Sequence, residues 1–333
     1  MKKRAAAMAA RFAFLLASTV LLSACVTREP FIPANLPAGA NARVELEATP
    51  FFPQKKYQCG PAALAAVLGA SNVAVTPEAL VPIVYLPARH GSLQVEMQAA
   101  PRKFDRLSYP LSRNLDSVLA ELSAGRPVLV LHNYGLPFWP RWHYAVVIGY
   151  DSATDRFMLR SGKKRRAEWR ARTFMVAWHN GGRWAMVVLR PGEIAASANP
   201  TLYLEAAADF ERGASAEDSR LAFDAAVQRW PNQPVAFIGR GTAEYRAGNF
   251  SNAARDYAAA LRLDPGNAGA RNNLAQSLLD LGCPAQAREQ LTAMNPDTLP
   301  QALRAAFEDT RRHIEAAASA NPVSDASRCP EQP

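Results

Sequence analysis

Two residues in this sequence have the chemistry of a nucleophile and of a base, and they lie far apart: Cys59 and His143. Cys59 opens the run Cys59-Gly60-Pro61-Ala62-Ala63-Leu64-Ala65-Ala66-Val67-Leu68. Proline suits a first helical turn, where its missing N–H has no partner to lose. The pattern therefore predicts a helix that starts at the cysteine and ends near Gly69. Unpaired N–H groups and the positive end of the helix dipole favour a thiolate there, the nucleophilic form of cysteine. His143 stands near the head of Trp142-His143-Tyr144-Ala145-Val146-Val147-Ile148-Gly149-Tyr150, a strand pattern rich in aromatic and β-branched residues. The alternative is a buried helix-start thiol and a satisfied core histidine. His90, His132 and His179 show no metal-ligand spacing with cysteines or acids and are read as surface or structural, so neither a metal nor a cofactor is expected.

The elements around these residues can be read in order. Thr76-Pro77-Glu78 starts a capped helix. Ser92 reads as the cap of the next helix, with Leu93 and Met97 facing a core. A helix over 115–122 leads through Gly125-Arg126-Pro127 into a buried-type strand over 128–131. The loop 133–142 carries Tyr134, Phe138 and Trp139, which form either the rim of a substrate cleft or packing onto their own domain. Strands over 143–150 and 156–160 form a hairpin. Lys163-Lys164-Arg165-Arg166 reads as a solvated basic turn, followed by a short helix over 173–178 and a last strand over 184–189.

Gln54, the Cys59-Gly60-Pro61-Ala62 helix start and the strand from His143 to Asp151 together resemble the papain-like cysteine peptidases of the bacteriocin-processing, double-glycine leader peptidase family. The resemblance covers roughly residues 50 to 190. It implies Cys59 as nucleophile and His143 as general base, working as a thiolate and imidazolium pair. It also implies that Gln54 donates to the oxyanion beside the Cys59 N–H. This glutamine stands one residue closer to the cysteine than in better-known members. The carboxylate or amide that orients the histidine in the family has no evident counterpart. The hairpin register brings Arg160, Ser161 and Gly162 towards His143, whereas Asp151 lies eight residues along the strand, roughly 26 Å away. Ser161 is the weak candidate for this role and Asn180 a second. Transpeptidation or amide hydrolysis would use the same residues, and a peptide-binding adaptor with a vestigial site is the competing reading.

With 333 residues, 49% hydrophobic and 20% charged, the chain has room for two globular domains. Residues 1–24 read as a signal peptide, with a basic start and an apolar run over 12–22 too short to span a bilayer. Leu21-Leu22-Ser23-Ala24-Cys25 is similar to a bacterial lipobox, which would make Cys25 the lipidated first residue of the mature protein. An ordinary cleaved signal with an incidental cysteine is the alternative. Val26, in place of an aspartate, points to an outer-membrane lipoprotein facing the periplasm of a Gram-negative-type bacterium. Residues 25–49, with Pro30, Pro33 and Pro37, read as a tether. Lys2, Lys3, Arg4 and Arg11 carry four of the formal +9 charges, and the remaining +5 is too mild to imply nucleic acid. Cys283 and Cys329 are left either as a disulfide in an oxidising compartment or as two free thiols.

From about residue 200 the composition becomes alanine-rich and helical. Gly248, Ala253 and Tyr257 recur as Gly282, Ala287 and Leu291, and a step backwards reaches Phe223, Ala226 and Pro231. This period is similar to the tetratricopeptide repeat, whose stacked helix pairs offer a concave surface for a peptide or protein. A short array could also serve only to cap the first domain. The expected architecture is an α+β papain-like cysteine peptidase domain over 50–193, an all-α tetratricopeptide-repeat domain over 200–316 and a flexible tail over 317–333. The expected partners are a peptide or protein substrate, a protein on the repeats and a membrane through the anchor at Cys25.

Overall fold

The computed structural model describes residues 43–136, 138–320 and 329. The expected signal peptide, Cys25 and the prolines at 30, 33 and 37 lie outside these residues. The first part contains, in chain order, β1 (Arg43–Glu45), α1 (Cys59–Ala70), α2 (Pro77–Val84), α3 (Gln94–Ala99), β2 (Leu107–Pro110), α4 (Leu115–Ser123), β3 (Val128–Asn133), β4 (Trp142–Asp151), β5 (Arg156–Ser161), β6 (Lys164–Arg170), α5 (Ala171–Asn180) and β7 (Ala185–Leu189). The strands pair antiparallel in one seven-stranded sheet, in the order β2-β7-β3-β4-β5-β6, and β1 also pairs with β4.

Strand β4 is the longest, and its two halves have different neighbours. Residues 142–147 pair with β3, whereas 149–151 pair with β1. The other edge of β4 pairs with β5, with a register irregularity between Val147 and Gly149. Helix α1 is buried without interruption from Gly60 to Leu68. A helix that is apolar on every side belongs inside a protein. Its side chains form one cluster with Tyr144, Val146 and Ile148 of β4 and with Met186 and Val188 of β7.

The second part is helical: α6 (Pro200–Glu211), α7 (Ala216–Arg229), α8 (Pro234–Arg246), α9 (Phe250–Leu263), α10 (Ala268–Asp280), α11 (Pro284–Thr292) and α12 (Gln301–Ala320). The recurring glycines have a backbone reason: Gly248 and Gly282 adopt φ of 78° and 81° at the turns after α8 and α10. Small residues let the helices approach, since a Cβ at Gly239 would lie 2.2 Å from the ring of Phe223. The two parts are joined by a pinned linker. The fully buried Glu121 of α4 accepts from the Ser197 N–H and hydroxyl, both at 2.7 Å, and from Arg126 at 2.7 Å. The Tyr109 hydroxyl of β2 accepts from the Asn199 N–H at 3.2 Å, and Arg102 donates to the Asp209 carbonyl of α6 at 2.8 Å.

The structure departs from the sequence expectations in four places. The tether does not extend to residue 49: β1 is already a sheet strand, Thr49 is buried, and Arg160 donates to the carbonyls of Glu47 and Thr49. Ser92 does not cap α3. Leu93 occupies the cap position with no side-chain bond and is exposed, because Ser92 instead turns inward against Gly60. The basic stretch 163–166 is not only a turn but the start of β6, an edge strand on which Arg166 pairs with Glu45 and Glu168. The tail is tied down in part, for α12 continues to Ala320 and Cys329 forms a disulfide with Cys283, 46 residues away. Closing a loop of that length stabilises by about 4 kcal/mol on a chain-entropy account.

Gly149 tests the docking of β1. A Cβ there would lie 2.1 Å from the Val44 carbonyl oxygen and 2.9 Å from the Glu45 Cα, backbone atoms that cannot swing aside. Gly149→Ala should destabilise the fold by about 1–3 kcal/mol in urea titrations. An unchanged midpoint would mean that β1 is not held against β4.

Candidate active site

Cys59 is the first residue of α1, and among the described residues it is the free cysteine. The turn before it is tight: Tyr57 takes φ of 64°, and Gln58 precedes the helix without a side-chain cap. Gly60 is required next to Cys59, because a Cβ would fall 2.3 Å from the Ser92 hydroxyl oxygen. The sulfur lies within hydrogen-bonding reach of the main-chain N–H groups of Tyr144, Gly60 and Cys59 itself. The first of these belongs to the residue after His143, so the packing of α1 on β4 brings the thiol to the main chain beside His143.

His143 sits near the start of β4, opposite His132 on β3. Its Nε2 is 2.9 Å from the Ser161 Oγ at the end of β5. The β4–β5 register pairs Val146 with Arg160, which carries residue 161 back alongside the histidine. Ser161 is therefore the residue placed to orient it, while Asn180 stands exposed at the end of α5. A narrow cleft with free volume of about 10 Å³, room for about one water, is lined by Gln54, Cys59, Ala62, Ala63, Tyr144, Ser161 and others. Gln54 is held there by its main-chain N–H, which donates to the Gly162 carbonyl at 3.2 Å. Upstream, the Arg160 bonds to Glu47 and Thr49 fix the segment that delivers it. Four of the expected site residues thus converge, and Cys25 lies outside the described residues.

The expected resting ion pair is opposed by burial. Burial pushes the Cys59 thiol up, and the three N–H contacts only partly offset it. Burial also lowers the His143 imidazole to about 4. Burial thus disfavours both charged forms of the pair in the free protein. A helix start alone favours the thiolate, but the sequence does not reveal how completely α1 and β4 enclose the sulfur.

Two neighbours matter more than their sequence spacing suggests. His132 is not a surface residue: it is fully buried, stacked on Trp169 at 5.1 Å and edge-on to Phe174 at 5.3 Å. Tyr134 lies with its ring 5.2 Å from that of His143. The aromatic loop divides between its two readings: Tyr134, though 43% exposed, lays its ring against His132, His143 and Trp169, whereas Phe138 and Trp139 are 82% and 75% exposed. Buried Asn133 staples the loop, its Oδ1 accepting from Gly135 at 2.9 Å and Arg141 at 2.8 Å. Among the described residues no cluster of three metal-ligating side chains occurs.

The two buried imidazoles give the fold a pH dependence. Burial lowers His132 to about 3 and His143 to about 4, from a usual 6.5, so the unfolded chain binds more protons than the folded one across that window. Stability present above pH 6.5 is lost as pH falls towards 4, by at most about 1.4 kcal/mol per pH unit and group. Loss through Glu45, held at about 2 by Arg166 and Arg43, comes only below about pH 4.5. The melting temperature should fall between pH 7 and pH 4, and less steeply in His143→Gln. Equal slopes in the two proteins would contradict the buried neutral imidazole.

Residues 46–186 match the Peptidase_C39 like family, and residues 244–307 match the tetratricopeptide repeat. Among solved structures, one described as a C39-like peptidase from Bacillus anthracis aligns with 16% identity and a TM-score of 0.39, covering 45% of this chain and 98% of its own. A double glycine motif protease from an AMS/PCAT transporter, in complex with the leader peptide, aligns with 15% identity and a TM-score of 0.33, covering 46% of this chain and 95% of its own. No curated protein is significantly similar to the chain. The chain carries a Peptidase_C39-like domain of mixed α and β structure, followed by a helical region with tetratricopeptide repeats.

Proposed function

We propose that the protein is a lipid-anchored periplasmic cysteine peptidase whose repeat domain recruits a protein substrate or partner. The observation that carries this reading is the convergence of Cys59, Gln54 and Ser161 on one cleft, with His143 hydrogen-bonded to Ser161. The Cys59 sulfur attacks the carbonyl carbon of a peptide bond while its proton passes to His143 Nδ1. Gln54 and the Cys59 N–H hold the oxyanion. His143 then gives its proton to the departing amine, leaving a thioester. Water attacks the thioester with His143 as base, releasing the carboxylic acid and restoring the thiol. Because burial disfavours both charged forms, proton transfer accompanies attack. A cleft this narrow suits small side chains next to the scissile bond.

The envelope location rests on the signal-like residues 1–24 and the lipobox-like ending at Cys25, and the Cys283–Cys329 disulfide supports an oxidising compartment. The repeat match and the pinned linker support a role for the helices in presenting a protein to the cleft. A specific observation favours a second reading, a non-catalytic peptide-binding adaptor: among the described residues no carboxylate orients His143, and burial disfavours both charged forms of the pair.

The two readings differ in reactivity. With a peptidyl electrophile as probe, labelling should be confined to Cys59, abolished in Cys59→Ala and reduced at least about 100-fold in His143→Ala. Gln54→Ala should lose about 10- to 100-fold. If wild type reacts no faster than a free thiol, the adaptor reading stands. For the anchor, Cys25→Ser should remove incorporated palmitate and release the protein from membranes, and retention of label would refute lipidation at Cys25.

A further inference from the structure

The hairpin of β3 and β4 ends in a loop that the chemistry at Cys59 does not use. The loop and the first residue of β4 expose four large apolar side chains, those of Leu136, Phe138, Trp139 and Trp142. They are held in place. The Asn133 staple closes the base of the loop, and the Trp139 N–H donates to the Leu136 carbonyl at 3.0 Å. A Cβ at Gly135 would lie 2.1 Å from the Trp139 carbonyl oxygen, so the loop folds tightly on itself. Fixed apolar clusters that face water, rimmed by polar groups, mark surfaces that contact a protein or a membrane.

Strand order sets what lies beside the loop. In the run β3-β4-β5-β6 successive antiparallel hairpins turn at alternate ends, so the β3–β4 loop and the β5–β6 turn leave the same end of the sheet. About two strand spacings, roughly 10 Å, separate them. The turn and the start of β6 carry Lys163, Lys164 and Arg165, and the loop carries Arg141. All four are exposed, and none has an ion pair among the described residues. The acid of β6, Glu168, is already paired with Arg156 and Arg166.

We infer that this end of the domain is a membrane-contact surface, on which the rings enter the headgroup layer and the four cations meet the phosphates of anionic phospholipids. Three observations select a bilayer over a protein. The exposed rings sit at a loop tip and line no part of the cleft at Cys59. Tryptophan beside lysine and arginine suits the membrane–water interface, where an apolar ring meets a charged headgroup. The third is reach. Arg43 pairs with Asp151, at the opposite end of the ten-residue β4 from Trp142, about 33 Å away. Residues 26–42 extend to at most about 60 Å, so a chain anchored at Cys25 can lay this end on the bilayer that holds it.

The test uses residues 26–333, which contain every element of the fold and carry no acyl group. They should sediment with vesicles of phosphatidylethanolamine and phosphatidylglycerol, far less with phosphatidylcholine vesicles, and less as sodium chloride is raised. Phe138→Ser with Trp139→Ser should lower vesicle affinity at least about tenfold with an unchanged melting temperature. Lys163→Gln, Lys164→Gln and Arg165→Gln together should lower it at least about tenfold and remove the preference for phosphatidylglycerol. Brominated phospholipid should quench tryptophan fluorescence in wild type, and the quenching should be lost in Trp139→Phe with Trp142→Phe while binding is kept. Absence of binding, equal binding to both vesicle types, wild-type affinity in either set of variants, or quenching that survives would each overturn the inference. A soluble peptide of alternating glutamate and phenylalanine that binds through the same residues, without vesicle binding, would overturn it and assign the surface to an acidic protein. Neither acylation nor Cys59 enters these measurements, so their outcome is independent of the peptidase reading.

Discussion

The structure depends on one packing contact, that of α1 against β4. An alanine-rich helix buried from Gly60 to Leu68 can lie closer to a sheet than a helix of large side chains, and that closeness brings the sulfur to the main chain beside His143. The same closeness excludes water, which is why burial governs the ionisation of both groups. Proximity and desolvation thus come from one cause. The site acquires close geometry at the expense of the charged forms of both groups.

Much of this was legible in the sequence because it is carried by local pattern. The proline at the helix start, the strand beginning near His143 and the hairpin register each depend on a few neighbouring residues, and the register was sufficient to bring Ser161 alongside His143. The 34-residue recurrence around Gly248 and Gly282 was legible for the same reason, since each glycine takes a left-handed turn conformation that other residues resist. What could not be read was tertiary. Ser92 looks like a helix cap, but its hydroxyl faces Gly60. Residues 43–45 look like linker, yet a free stretch of the β4 edge receives them. His132 has no periodic or motif signal, and only the pairing of β3 with β4 places it opposite His143.

The repeat helices bear on the first domain through polar contacts as well as through packing. A buried carboxylate is stable only when its oxygens are occupied, and Glu121 satisfies this with Arg126 and with the chain at Ser197. The segment between sheet and repeats is thereby committed to one path. Tyr109, Asn199 and Tyr203 continue the same path, the last donating to the carbonyls of Glu193 and Ala222.

On the proposed function, that committed path would make the repeat array a ruler. With no slack between the surface that would hold a protein and the cleft that would cut it, the gap between them has a set span. A chain gripped by the helices would bring to Cys59 only the segment that lies the right number of residues from the grip. Selection would then be by position along the client chain as much as by the side chains at the bond, and lengthening the segment around Ser197 would shift the register of cutting.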